Sequence, residues 1–135
     1  MDLRDHEIGL AAFIVPARRD RFRRSLENPR LRRKLHVELY HFEHQLDPRF
    51  ATVVAQHSKH DVHVGELHNQ LVAAGAPASC VVIADGELDG QTTALRSALQ
   101  ELMISGGALL SCIPARLAVY IGEDGSEQFI LRRWT

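Results

Sequence analysis

SCVVIADGELDGQTTALRSALQELMISGGALLSCI, residues 79–113, carries the pattern on which the fold depends. Its ends, SCVVIAD (79–85) and ALLSCI (108–113), are unbroken apolar runs of strand length. Between them QTTALRSALQELMIS (91–105) sets Leu95, Leu99 and Leu102 on one helical face, and Gly106-Gly107 supplies a stop. Strand, helix and strand in that order predict a βαβ unit with parallel strands and a right-handed crossover.

Downstream, ARLAVYIGEDGSEQFILRRW (115–134) alternates on both sides of a Gly-Glu-Asp-Gly turn and predicts an antiparallel hairpin. Upstream, Ser58 and Asp61 have capping-box spacing, which starts a helix near Lys59. Its apolar face is Val64, Leu67, Leu71 and Ala74, and Gly75 and Pro77 end it. LDPRFATVV (46–54) has a turn signal before an extended run with room for a short strand.

Asn28 and Pro29 are an N-cap and first-turn proline for a helix whose stripe is Leu31, Leu35, Leu39, Phe42 and Leu46. A short basic helix with Phe22 and Leu26 at i, i+4 precedes it over 17–27. EIGLAAFIV (7–15), closed by Pro16, is apolar almost throughout and predicts a buried strand. The expected fold is α/β: a mixed sheet containing a parallel βαβ unit (79–113) and a C-terminal antiparallel hairpin, covered by about four helices. A length of 135 residues predicts one domain, 1–135.

Apolar residues make up 45% and charged residues 24%, the balance of a folded soluble protein rather than a disordered or fibrous one. Cys80 and Cys112 each sit inside an apolar run, as buried reduced thiols do. No stretch has the length of a membrane span, and the start MDLRDHEIG is acidic where a signal peptide is basic. The expectation is a cytoplasmic protein with no membrane association.

Net charge is −1, but residues 18–34 hold nine Arg or Lys against Asp20 and Glu27, so the remaining 118 residues sum to −8. Such asymmetry suits an anion-binding face, an acidic partner, or pairing with the protein's own acidic half. Arg21, Arg24, Arg32 and Arg33 are the anion-binding candidates. A nucleic-acid reader also wants interleaved aromatics, and only Phe22 qualifies.

HSKHDVHVGELH (57–68) holds four of the chain's eight histidines. At 100° per residue His60 points with Val64 and Leu67 toward the core, His63 sits at the edge of that stripe, and His57 precedes the helix. His68 lies about 12 Å along the axis from His60, too far to share an ion bound at about 2 Å. No H-E-x-x-H or C-x-x-C accompanies these residues, and Glu38-x-x-His41 lacks the second copy that a di-iron bundle needs. No metal site and no cofactor is expected.

The acidic loop DGELDG (85–90) places Asp85, Glu87 and Asp89 at alternate positions before Gly90, like the first half of a calcium loop. The twelfth position, which should be a bidentate Glu, is Arg96. Arg116 follows the next strand and, with parallel strands, would face the same crevice. Thr92 or Asp89 caps the following helix. Walker, G-x-G-x-x-G and G-x-S-x-G patterns are missing.

These residues name no activity. They favour a small soluble binding or regulatory domain without catalysis. The alternatives are nucleic-acid or polyanion binding through residues 18–34, and a divalent-metal-assisted enzyme at the 85–90 loop. A protein, small-molecule or nucleic-acid partner and an oligomer are all compatible with the chain.

Overall fold

The computed structural model describes residues 3–54, 59–125 and 127–134. In chain order the elements are α1 (Leu3–Gly9), α2 (Arg19–Glu27), α3 (Pro29–Glu38), β1 (Ala51–Val53), α4 (His60–Ala73), β2 (Ser79–Ala84), β3 (Thr92–Ala94), α5 (Leu95–Ser105), β4 (Ala108–Ile113), β5 (Leu117–Ile121) and β6 (Gln128–Arg132). The strands form one sheet in the order β1-β6-β5-β4-β2-β3, and every neighbouring pair is antiparallel.

The expected mixed sheet with a parallel βαβ unit over 79–113 is therefore overturned. The cause is a three-residue strand inside the segment expected to be all helix. β3 pairs antiparallel with the start of β2, Cys80 opposite Thr93, so the chain reverses once before α5 begins. α5 then carries the chain back along the direction of β2, and β4 returns antiparallel to it with Ala108 opposite Ala84. One extra reversal changes the parity of the whole connection. The β-branched Thr92 and Thr93 suit an extended pairing better than a first helical turn. Neither Thr92 nor Asp89 caps α5, whose N-cap position is Ala94. The C-terminal hairpin is antiparallel as expected, Val119 opposite Ile130.

Among the described residues five α-helices cover the sheet, rather than the expected four or so. α4 and α5 lie on one face, where Val64, Leu67, Leu71, Leu95 and Leu99 meet Val82, Leu110 and Val119. The N-terminal helices lie on the other, where Leu10, Phe13, Phe22 and Leu35 meet Ile83, Leu109 and Tyr120. Successive strand residues thus enter opposite cores, each large side chain contributing about 1.5–3 kcal/mol on burial. The unbroken apolar runs record coverage on both faces and carry no information about strand direction.

The expected strand over 7–15 is also corrected. α1 ends at Gly9, a 3-10 turn spans Leu10–Phe13, and only Ile14 makes a β-bridge, to Leu46. Leu10, Ala11, Phe13 and Ile14 are each 1% exposed, and a fully buried helical turn reads as apolar as a buried strand. Asn28 caps α3 as its sequence indicates, its side chain accepting from the backbone N–H groups of Arg30 and Leu31. Beyond Glu38 the stripe continues through 3-10 turns at Leu39–His41 and Glu43–Gln45. Tyr120 fixes that continuation: its buried hydroxyl donates to the Leu39 carbonyl at 2.6 Å and accepts from the Phe42 N–H at 2.9 Å.

On α4 the roles of two histidines are exchanged relative to the helical count. His60 opens the helix and is exposed, whereas His63 is buried and bonds the Gln128 side chain of β6. His57 and Ser58, the cap expected from the sequence, lie outside the described residues, and the N-cap position of α4 is Lys59. Among the described residues no three His, Cys, Asp or Glu side chains are grouped so as to hold a metal ion. No described helix is long and apolar enough to cross a membrane.

Candidate anion-binding site

The C-terminal end of α1 packs directly on the turn between β4 and β5. A Cβ at Gly9 would fall 2.6 Å from the Ala115 nitrogen, so only glycine permits this approach. Ala115 itself takes φ +62°, a left-handed conformation unusual for a residue with a side chain. Beside this contact opens a cavity of about 420 Å³ lined by Arg19, Arg23, Arg116 and Arg133, with Ile8, Gly9, Ala12 and Ala115 between them. Among the described residues no Asp or Glu lines it.

Four separate segments deliver the arginines. Arg19 is the first residue of α2, and its Nε donates to the Ile14 carbonyl at 2.9 Å. Its Nη2 is buried without a hydrogen-bond partner and stands 3.9 Å from Asp47 Oδ2. Asp47 is turned toward Arg49, whose Nη2 donates to it at 2.7 Å; that pairing holds the buried Asp47 carboxyl below the usual carboxylate range. Arg23, one turn along α2, is partly exposed and bonds Asp20 at 2.9 Å. Arg133 donates to the Ala12 carbonyl at 3.0 Å while its guanidinium lies 4.6 Å from the Phe50 ring centre. The Arg116 guanidinium makes no hydrogen bond among the described residues and lies 6.0 Å from the Trp134 ring centre.

Each guanidinium carries five N–H donors and no acceptor, and among the described residues the bonds of Arg19, Arg23 and Arg133 engage only part of theirs and Arg116 engages none. Phosphate, sulfate and carboxylate groups supply the complementary oxygens in a planar, bidentate geometry. A cavity of this volume falls in the range that accommodates small organic ligands.

The candidates read from the sequence are distributed differently. Arg32 is engaged inside the fold: it donates to Glu7 at 2.7 and 3.1 Å and to Asp89 at 2.9 and 3.1 Å. His36 Nε2 stands 3.2 Å from the same Asp89 carboxylate, and the Ala84 N–H donates to it at 3.2 Å. One basic and one acidic candidate thus neutralise each other, joining α1, α3 and the β2–β3 turn. Arg21 pairs with Glu38 at 2.7 Å, while Arg24 and Arg33 are exposed and bond no carboxylate among the described residues.

Asp85 and Glu87 are exposed beside a smaller cavity of about 300 Å³ that Glu101 also lines. Arg116 does not face that loop. Because β2 and β4 are antiparallel, the residues after β4 lie at the opposite end of the sheet from those after β2. Sequence reasoning counted Arg19 and Arg23 within the basic segment without singling them out, and it missed Arg133. No local spacing links positions 19, 23, 116 and 133; only the packing of α1 on the β4–β5 turn collects them. No family model, curated protein or solved structure matches the chain.

Proposed function

We propose that the protein is a binding module for a small anionic ligand, held in the arginine cavity between α1, α2, the β4–β5 turn and the chain's C-terminal end. The observation that supports this reading is four arginines around one cavity with no Asp or Glu in its lining among the described residues, Arg19 carrying a buried nitrogen that makes no hydrogen bond. Arg21 and Arg32 are matched to acids inside the fold, whereas Arg116 and Arg133 in this cavity bond no carboxylate among the described residues. A regulatory role through ligand binding requires no nucleophile or general base.

Polyanion binding through residues 18–34 is the second reading, supported by exposed Arg24 and Arg33. Arg21 and Arg32, already bonded to carboxylates, weaken it. Divalent-metal chemistry at 85–90 has less support, because Asp89 is bonded to Arg32. The cytoplasmic location we expect rests on Cys80 and Cys112, buried free thiols whose pKa burial pushes up to about 12.

Calorimetric titration with inorganic phosphate at low ionic strength tests the principal reading. Saturable binding is expected, weakening with added salt and falling at least tenfold in Arg116→Ala, a variant that removes no hydrogen bond of the fold. The Arg24→Ala, Arg33→Ala double variant should bind phosphate as the wild type does. Absence of both heat and thermal stabilisation at high phosphate overturns the reading.

A further inference from the structure

Trp134 stands just outside the arginine cavity, 46% exposed, and Arg116 belongs to both places. The ring centre is 6.0 Å from the Arg116 guanidinium carbon and 5.8 Å from that of Arg132. We propose that the cavity's ligand is a nucleotide, its phosphate held by the arginines and its base stacked on Trp134, a proposal that rests on the anion site described above.

Three observations converge on this chemistry. The cavity, about 420 Å³, is much larger than a bare phosphate fills and has room for a body attached to the anion. The exposed aromatic beside the cavity is Trp134, at 46% exposure, whereas Phe50 is only partly exposed and lies under both Arg49, at 5.0 Å, and Arg133, at 4.6 Å. Arg116 and Arg132 lie over the Trp134 ring at 6.0 and 5.8 Å, the long end of cation–π contact and farther than Arg49 and Arg133 lie from Phe50. A phosphate oxygen bonded to Arg116 at about 2.8 Å is then separated from the Trp134 ring by the reach of one sugar. Anion-binding arginines beside an exposed aromatic are a combination by which proteins hold phosphorylated bases, and one base–aromatic stack contributes about five- to one-hundred-and-fifty-fold in affinity.

The shared chemistry is a phosphorylated aromatic base, whether from a free nucleotide or from a nucleic-acid strand. Trp134 is the chain's only tryptophan, so its fluorescence reports the contact directly. The experiment titrates the full chain with phosphate, adenosine, adenosine 5′-monophosphate and a short single-stranded oligonucleotide, by fluorescence and by calorimetry. Adenosine monophosphate should bind at least tenfold more tightly than phosphate and quench Trp134. Trp134→Ala should lose that advantage while keeping wild-type affinity for phosphate. Preferential binding of the oligonucleotide or of the mononucleotide supports the proposal in either case and identifies the source. Equal affinity for phosphate and the nucleotide, or an advantage that survives Trp134→Ala, overturns it and leaves the anion site standing. Failure of phosphate itself to bind overturns the anion site.

Discussion

Ala115 holds a left-handed backbone where the chain turns from β4 into β5, and it does so against the bare backbone of Gly9. The conformation costs a residue with a Cβ about 1–2 kcal/mol, and strain of this kind gathers where a fold positions functional groups. Here the strained residue directly precedes Arg116. Ala115→Gly removes the strain but makes the unfolded chain more flexible, which returns about 0.4–1 kcal/mol of the gain. The expected net effect is a stabilisation of about 0.5 kcal/mol, read as a higher urea midpoint at unchanged slope. A lower midpoint would mean that the Ala115 methyl group packs productively and the conformation is not a burden.

Helix α3 is tied to α1 and to the β2–β3 turn through one side chain, Arg32. Its guanidinium and both carboxylate partners are largely buried, at 17, 13 and 19% side-chain exposure. Removing it leaves two carboxylates with no cation between them, and Arg32→Ala should cost about 2–4 kcal/mol in urea unfolding at neutral pH. Burial raises the Asp89 pKa, but the hydrogen bonds and charge of Arg32, with His36 and the Ala84 N–H, outweigh it and leave it below the ordinary value. A carboxylate depressed in the folded state contributes stability that is complete above its unfolded value, about 4, and is lost as pH falls through the folded one. The difference between wild type and variant should therefore be constant from pH 7 to about 5 and narrow below about pH 4. A difference that grows on acidification would contradict this assignment of the clamp.

Across the whole molecule, β4 and β5 are paired on both sides and covered on both faces, whereas β1 and β3 are three-residue strands at the sheet's edges. Opening the centre requires disrupting both cores; opening an edge does not. Amide hydrogen exchange should be slowest at Leu109, Leu110, Val119 and Tyr120, at the rate set by global unfolding, and much faster at Thr52 and Thr93. Uniform protection across all six strands would show that the edges do not open independently. Charge also resolves at this scale. Part of the +7 of residues 18–34 is answered by the acidic remainder, Arg32 at Glu7 and Asp89 and Arg21 at Glu38, while Arg19 and Arg23 converge with Arg116 and Arg133 on the cavity.

The sequence alone was sufficient wherever a signal is completed within a few residues. Asn28-Pro29 starts α3, the Gly-Glu-Asp-Gly turn closes the C-terminal hairpin, and Leu67 and Leu71 mark the buried face of α4, because caps, turns and helical stripes are short-range geometry. Strand direction was not legible in 79–113: it depends on whether Thr92–Ala94 extends along β2, and three residues commit to a strand only when a partner edge is present to bond them. The same limit hid the cavity. Arg19, Arg23, Arg116 and Arg133 are brought together because Gly9 lets α1 approach the Ala115 turn, an approach between segments more than a hundred residues apart in the chain. The sequence supplied the charges, and tertiary packing alone decided which are neutralised inside the fold and which are left facing a cavity.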